Sequence, residues 1–435
     1  MEELKKTAEK MLARLKEAGA QDAQVSVVRG RLEEFNVDAG EFSLIRSVET
    51  RSAAMKVIEN SRKGTVALNQ FDDASVNAAV KECVAAARSG VQDDAVSIAS
   101  LEKNTDFVSG NTAPDKAAFF DSLILFVDKI KAEFPKIMIE QLIGSYSEGR
   151  HVFMNSNGVL LTEHDGSYNV NVMYSAHDGD KTGSFNYFDI SFLDPKSDIM
   201  ALGDIRTMLS RAESELETVP FSGKFEGTAV FSPACLDDFL SIITGNFAGD
   251  YPIIENTSPW RDKLGKKVAD ESVTLSVIPL DSRIVCGERI TADGYCSENY
   301  DIIKDGVLES FCLSEYAAKK TGGKMAKSSS GCIELKAGEK SLDDIIGGIE
   351  NGILVCRFSG GEPAANGDFS GVAKNSFLIE NGRISGAVNE TMISGNLADM
   401  LLRVRGISSS QVCSGSSVLP YAAFDGVTVS GGGEA

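Results

Sequence analysis

Twice in its first 220 residues the chain runs through the same order of patterns: helix, antiparallel strands, helix. The first pass opens at residues 2–18, where Leu4, Ala8, Met11, Leu12 and Leu15 recur at helical spacing and Gly19 closes the run. Four strand-like runs follow at 23–28, 32–37, 42–48 and 53–59, with a fifth at 64–68. Asp38-Ala39-Gly40-Glu41 is hairpin chemistry. Asp73 then reads as the N-cap of a helix through Val76, Ala79, Val80, Cys83, Val84 and Ala87, stopped at Gly90. After a polar linker, Pro114 opens a helix with Phe119, Leu123, Phe126, Val127 and Ile130. Strand runs at 137–144, 150–155, 160–174 and 183–192 come next, with a tight turn at Asn155-Ser156-Asn157-Gly158. A helix at 199–216 ends the pass. Such an order buries one face of an antiparallel sheet under its own helices. It predicts an α/β portion over residues 1–220, built from a duplicated unit at 1–91 and 113–218.

A turn-rich stretch around Pro220 marks a change of pattern. Residues 228–250 read as a short apolar strand, Pro233 in a first helical turn, and a helix with Leu236, Phe239, Leu240 and Ile243 on one face. Gly245 or Asn246 is the expected stop. Beyond it lie glycines, turns and short strand runs, with Asp305-Gly306 and Asn381-Gly382 as hairpin tips. The fold class is therefore α+β, with a β-rich, barrel-like or sandwich domain over 221–435.

Composition narrows the function. Asp and Glu number 63 against 43 Lys and Arg, a net charge of −20, which removes any general attraction to nucleic acid. The N-terminus has no apolar signal core, and no apolar run is long enough to span a bilayer, so a soluble cytoplasmic protein is expected. None of the eight cysteines forms a C-x-x-C pair, so reduced thiols are expected. His151, His164 and His177 all precede the β-rich half, and none has the spacing of a helical metal pair. Asp237-Asp238 and Asp343-Asp344 fit helix N-termini, where the dipole favours negative charge. Spacing alone yields no catalytic constellation.

Three blocks in the β-rich half add a resemblance. They are residues 300–309 (YDIIKDGVLE) with 316–322 (YAAKKTG); 366–370 (NGDFS) with 377–382 (FLIENG); and 390–401 (ETMISGNLADML). In order and spacing they resemble the TldD/PmbA family, whose name refers to modulation of DNA gyrase. The resemblance implies dimers, often of a TldD-type and a PmbA (TldE)-type subunit. It also implies, in the TldD type, a zinc peptidase acting on unfolded or small peptides. There a helix carries H-E-x-x-x-H and a C-terminal cysteine completes the ligands, leaving zinc open for water. Aligned on Gly249-Asp250, this chain has Leu240 and Gly245 at the histidine positions and Ser241 at the glutamate. None of the three can bind zinc or act as a base at neutral pH. Cys413 falls near the cysteine position. The expectation is a metal-free, PmbA/TldE-type, non-catalytic subunit, without a cofactor of its own. It would pair with a zinc-bearing TldD-type subunit or with itself, around extended peptide, without direct nucleic-acid or membrane contact. Two alternatives stand beside it. One is a gyrase-associated or other interaction protein. The other is a stand-alone peptidase using a cysteine, with Cys286, Cys296, Cys312 and Cys413 as candidates.

Overall fold

The computed structural model describes residues 1–101, 103–361, 363–389 and 391–432. Glu390 of the third block and residues 433–435 lie outside the described residues. The first helix, α1 (Glu2–Glu17), buries Leu4, Ala8, Met11, Leu12 and Leu15. The four strand-like runs that follow are two long strands, β1 (Asp22–Asp38) and β2 (Glu41–Glu59). Their charged middles pair as well: Arg29 lies opposite Arg51, and Arg31 opposite Glu49. Arg29 holds Glu49 at 2.8 Å, so ion pairs cover a stretch where apolar alternation lapses. The turn between them places Ala39 and Gly40 at φ 49° and 80°. After β3 (Arg62–Leu68) comes α2 (Asp73–Ser89). Its N-cap is Asp72, which accepts from the Ala74 and Ser75 amides. Asp73 instead pairs with Lys10 and Arg14 of α1 at 2.5 and 2.6 Å.

The polar linker hides a strand, β4 (Thr105–Gly110), which runs parallel to β6 from Thr105 opposite Leu161 to Gly110 opposite Gly166. Then come α3 (Lys116–Glu133), β5 (Ile137–Asn155), β6 (Leu160–Asp178), β7 (Lys181–Thr182) and β8 (Asn186–Phe192). The closing helix is interrupted. A 3-10 turn at Ile199–Ala201 and Gly203, at φ 54°, precede α4 (Ile205–Ser214). The strand order is β3-β2-β1-β5-β6-β4, with β7 and β8 also on β6. β1 and β5 lie antiparallel at the centre, from Gln24 opposite Asn155 to Asp38 opposite Gln141. Helices α1 and α2 cover Val25, Met55 and Val57, whereas α3 and α4 cover Leu142, Val170 and Tyr174.

The second half opens with β9 (Ser222–Phe231), which leads into α5 (Pro233–Ile243). β9 lies between the parallel strand Asn351–Val355 and the antiparallel strand Val418–Gly432. They belong to a sheet of thirteen strands among the described residues. The fold is α+β, as the patterns predict. Asp305-Gly306 and Asn381-Gly382 adopt the left-handed backbone their turns require. Among the described residues no helix is long and apolar enough to cross a membrane.

The halves touch through a small apolar cluster, in which Ile290 and Tyr295 pack on Ala99, Phe153 and Leu161. Gly294 makes this approach possible. Its φ is +93°, and a Cβ there would sit 2.0 Å from the Phe153 ring. Gly294→Ala is therefore expected to destabilise the chain by about 1–3 kcal/mol. Urea unfolding checks this, with Gly265→Ala as a control: it has the same backbone sign (φ +73°) but nothing within 4 Å.

Candidate functional site

Helix α5 begins where Ser232 accepts from the Cys235 amide and Pro233 occupies the first turn. Leu236, Phe239, Leu240 and Ile243 are at most 3% exposed. Phe239 packs on Phe231 with ring centroids 4.9 Å apart. The helix does not stop at Gly245. It widens into a π-turn at Thr244–Ala248 and restarts as a short helix at Asp250–Ile254. Phe247 locks this turn, with its ring 5.1 Å from Trp260 and its carbonyl accepting from Ser258 Oγ at 2.6 Å.

Leu240, Ser241 and Gly245 part company here. Leu240 is buried among Phe231, Leu397, Met400, Leu401 and Phe424. Ser241 and Gly245 are exposed, and a Cβ at Gly245 would meet open space. Cys413, half-buried at the end of the strand Val404–Cys413, donates its thiol to the Arg283 carbonyl at 3.1 Å. It faces a cavity that Leu240, Ser241 and Gly245 do not line. The donor set does not fit zinc. Among the described residues no three His, Cys, Asp or Glu side chains are placed to hold a metal ion.

The histidines hydrogen-bond within the first sheet. His151 Nε2 meets Ser26 Oγ, His164 Nε2 meets Glu148 Oε1 and His177 Nε2 meets Ser175 Oγ, each at 2.8 Å. None reaches the cysteines of the second half. Cys286 is exposed, 3.8 Å from Ser167 Oγ, and Cys296 lies 3.9 Å from Thr105 Oγ1. Burial pushes the Cys312 thiol up to about 11, which disfavours the nucleophilic thiolate.

The cavity that Cys413 faces has a volume of about 310 Å³ and lies where the two halves meet. Its walls come from β8, α4 and the turn before it, the start of α5, the segments at Cys356-Arg357 and Asn375, and the hairpin joining Cys413 to Val418. Arg211 donates to the Tyr421 hydroxyl at 2.8 Å, and that hydroxyl donates to Asp204. Arg357 stacks over Phe185 and Tyr187 at 5.4 and 5.8 Å, but its Nε has no partner. Asn375, in the left-handed region at φ 53°, donates to Asn186 Oδ1 and leaves its own Oδ1 unpartnered. Neither Glu215 oxygen reaches a partner in bonding geometry, and burial pushes its carboxyl up to about 8. Burial also raises Asp237, against a 2.8 Å bond from Ser417 Oγ. Asp238 is raised by burial first and by Asp237 second.

The helix-dipole account of Asp237-Asp238 is corrected here. They are the fifth and sixth residues of α5, which has no acidic residue in its first turn. Asp343 and Asp344 do sit in a first turn, behind a Ser341 capping box. Glu215, Arg357 and Asn375 were not singled out from the sequence. They come from distant segments, and the one local signal is the turn position of Asn375 between two strands.

The architecture is that of a two-part α+β protein whose junction carries an acidic, thiol-edged cavity. Residues 222–431 match the family described as PmbA/TldA metallopeptidase C-terminal domain. These residues, just under half of the chain, carry the C-terminal domain of that family. Metalloprotease PmbA of Escherichia coli O157:H7 is 24% identical over 405 residues, 88% of this chain and 87% of that protein. A metalloprotease of Methanothermobacter thermautotrophicus is 27% identical over 294 residues. That alignment covers 60% of this chain and 60% of the relative's length. The crystal structure of TldE from Thermococcus kodakarensis superposes with a TM-score of 0.86 at 20% identity, covering 98% of this chain and 100% of that one.

Proposed function

We propose that this chain is a PmbA/TldE-type subunit that supplies no metal chemistry of its own. In this reading it completes a peptidase assembly with a zinc-bearing TldD-type subunit, or with a second copy, and helps enclose extended peptide. Such a peptide can be held as an added strand at a sheet edge. The observation that carries the reading is the fate of α5. Leucine, serine and glycine stand at the ligand and base positions, and Leu240 is packed into the core. The cysteine alternative lacks a histidine in the second half to act as base. The purified chain is expected to hold no stoichiometric zinc and to cleave no peptide. Co-expressed with a TldD-type sibling, it is expected to elute as a pair on sizing, with cleavage appearing. Tightly bound stoichiometric metal in the isolated chain, with peptidase activity lost on chelation, overturns the reading.

A further inference from the structure

The cavity at the junction has a chemistry of its own. Five of its lining residues are acidic (Asp189, Asp204, Glu215, Asp237 and Asp238) and two are basic (Arg211 and Arg357). Arg211 is engaged by Tyr421, and Arg357 lies over the rings of Phe185 and Tyr187 with its Nε unpartnered. Asp204 accepts from Tyr421, and Asp189 accepts from Asn169 and Asn171 at 2.8 and 3.2 Å. Asp238 is exposed at the cavity wall beside Asp237 and has no hydrogen-bond or ion-pair partner among the described residues. Asn375 is 6% exposed, and its Oδ1 is a second acceptor without a donor. Polar atoms buried without partners cost about 1–3 kcal/mol each, so such a group in a cavity wall marks a place where a ligand atom or water completes the bonding.

At the α5 wall the free capacity is that of acceptors, the Asp237 and Asp238 carboxylates; elsewhere in the lining Asn375 Oδ1 is a further acceptor and Arg357 Nε a donor. We propose that this cavity binds a cationic hydrogen-bond donor, a primary ammonium or guanidinium group, seated against Asp237 and Asp238. Tyr187, which lines the cavity and is 46% exposed, adds apolar surface for the stem that carries the cation. A bound cation also answers the repulsion between the two neighbouring carboxylates, both of which burial holds above the usual aspartate range. The cation has two natural sources, a lysine or arginine side chain of an extended peptide or a free small amine. The peptide source rests on the peptide-handling function proposed above; the free-amine source does not.

Isothermal titration of the full chain at pH 7 tests this with four probes. Acetyl-lysine N-methylamide and acetyl-arginine N-methylamide offer a side-chain cation on a peptide backbone. Cadaverine offers the cation alone, and acetyl-glutamine N-methylamide is the neutral control. At least one cationic probe is expected to bind, and the neutral control at least about tenfold more weakly. The double variant Asp237→Asn, Asp238→Asn is expected to lose about tenfold or more in affinity for that probe while keeping the parent's unfolding midpoint. Tighter binding of the amide-flanked probes identifies the peptide source, and equal or tighter binding of cadaverine the free amine. Absence of binding by every cationic probe up to about 10 mM overturns the proposal, as does a neutral probe that binds equally well. So does a double variant that binds unchanged. No peptidase activity is read, so failure here leaves the subunit reading standing, and a catalytic zinc found in the chain leaves this one standing.

Discussion

Leu240→His is expected to cost about 3–5 kcal/mol of folding stability and to bring no zinc with it. The side chain it replaces is 1% exposed, in a wall formed by Phe231, Leu397, Met400, Leu401 and Phe424. The substitution loses apolar burial and places imidazole nitrogens where no neighbouring side chain in that wall can donate or accept. A zinc ion would also need ligands on the same side of the helix. Ser241 and Gly245 instead face solvent, and Cys413 faces a different cavity. Urea unfolding with metal analysis of the purified variant checks both halves of the expectation. Leu240→Met, which conserves volume, should stay within about 1.5 kcal/mol of the parent. A Leu240→His chain as stable as the parent would show that this helix is not committed to packing and could accept the family's ligands.

How far the sequence foretold this helix depends on what carries the information. The apolar stripe of α5, like the five buried residues of α1, follows from helical spacing because each residue reports its own exposure. The turns at Ala39-Gly40 and Asn381-Gly382 were legible because only a few residues tolerate positive φ. The lengths of β1 and β2 were not, because Arg29–Glu49 and neighbouring pairs replace apolar alternation in mid-strand. β4 was missed for a related reason. Thr105–Gly110 is a half-exposed edge strand, and its partner β6 lies some fifty residues away in the chain, beyond any local pattern.

The candidate site divides along the same line. The residue types at Leu240, Ser241 and Gly245 are a matter of position in the sequence, and the burial of Leu240 follows from its place on the apolar stripe of α5. The cavity is a matter of assembly: Glu215, Asp237, Arg357, Asn375 and Cys413 meet only when the two halves dock. Asp237-Asp238 was visible but misread: with Pro233 in the first turn the pair falls in the second, beyond the reach of the dipole.

Glu215→Gln is expected to leave stability nearly unchanged at pH 5 and to raise it by about 2–4 kcal/mol at pH 9. The reason is the burial of this carboxyl in the cavity lining. Its folded-state pKa is about 8 against an ordinary 4.5, and burial is the cause. In the unfolded chain Glu215 is charged above about pH 4.5, whereas in the folded chain it keeps its proton until about pH 8. Its contribution is therefore fully present below pH 4.5 and is lost between about pH 4.5 and 8, as the unfolded chain releases a proton that burial, only partly opposed by Asn186 and Arg357, keeps on the folded one. Glutamine keeps the shape and cannot ionise, so the variant is spared that loss. Glu163, raised to about 7 by burial and then by Asp165, loses stability in an overlapping window. It is present in both chains, so the variant's curve should still fall with pH, but less steeply. Urea midpoints of parent and variant at pH 5, 7 and 9 give the difference directly. Curves that stay parallel across that range would mean that water already reaches Glu215, and that the inner end of the cavity is wetter than its lining implies.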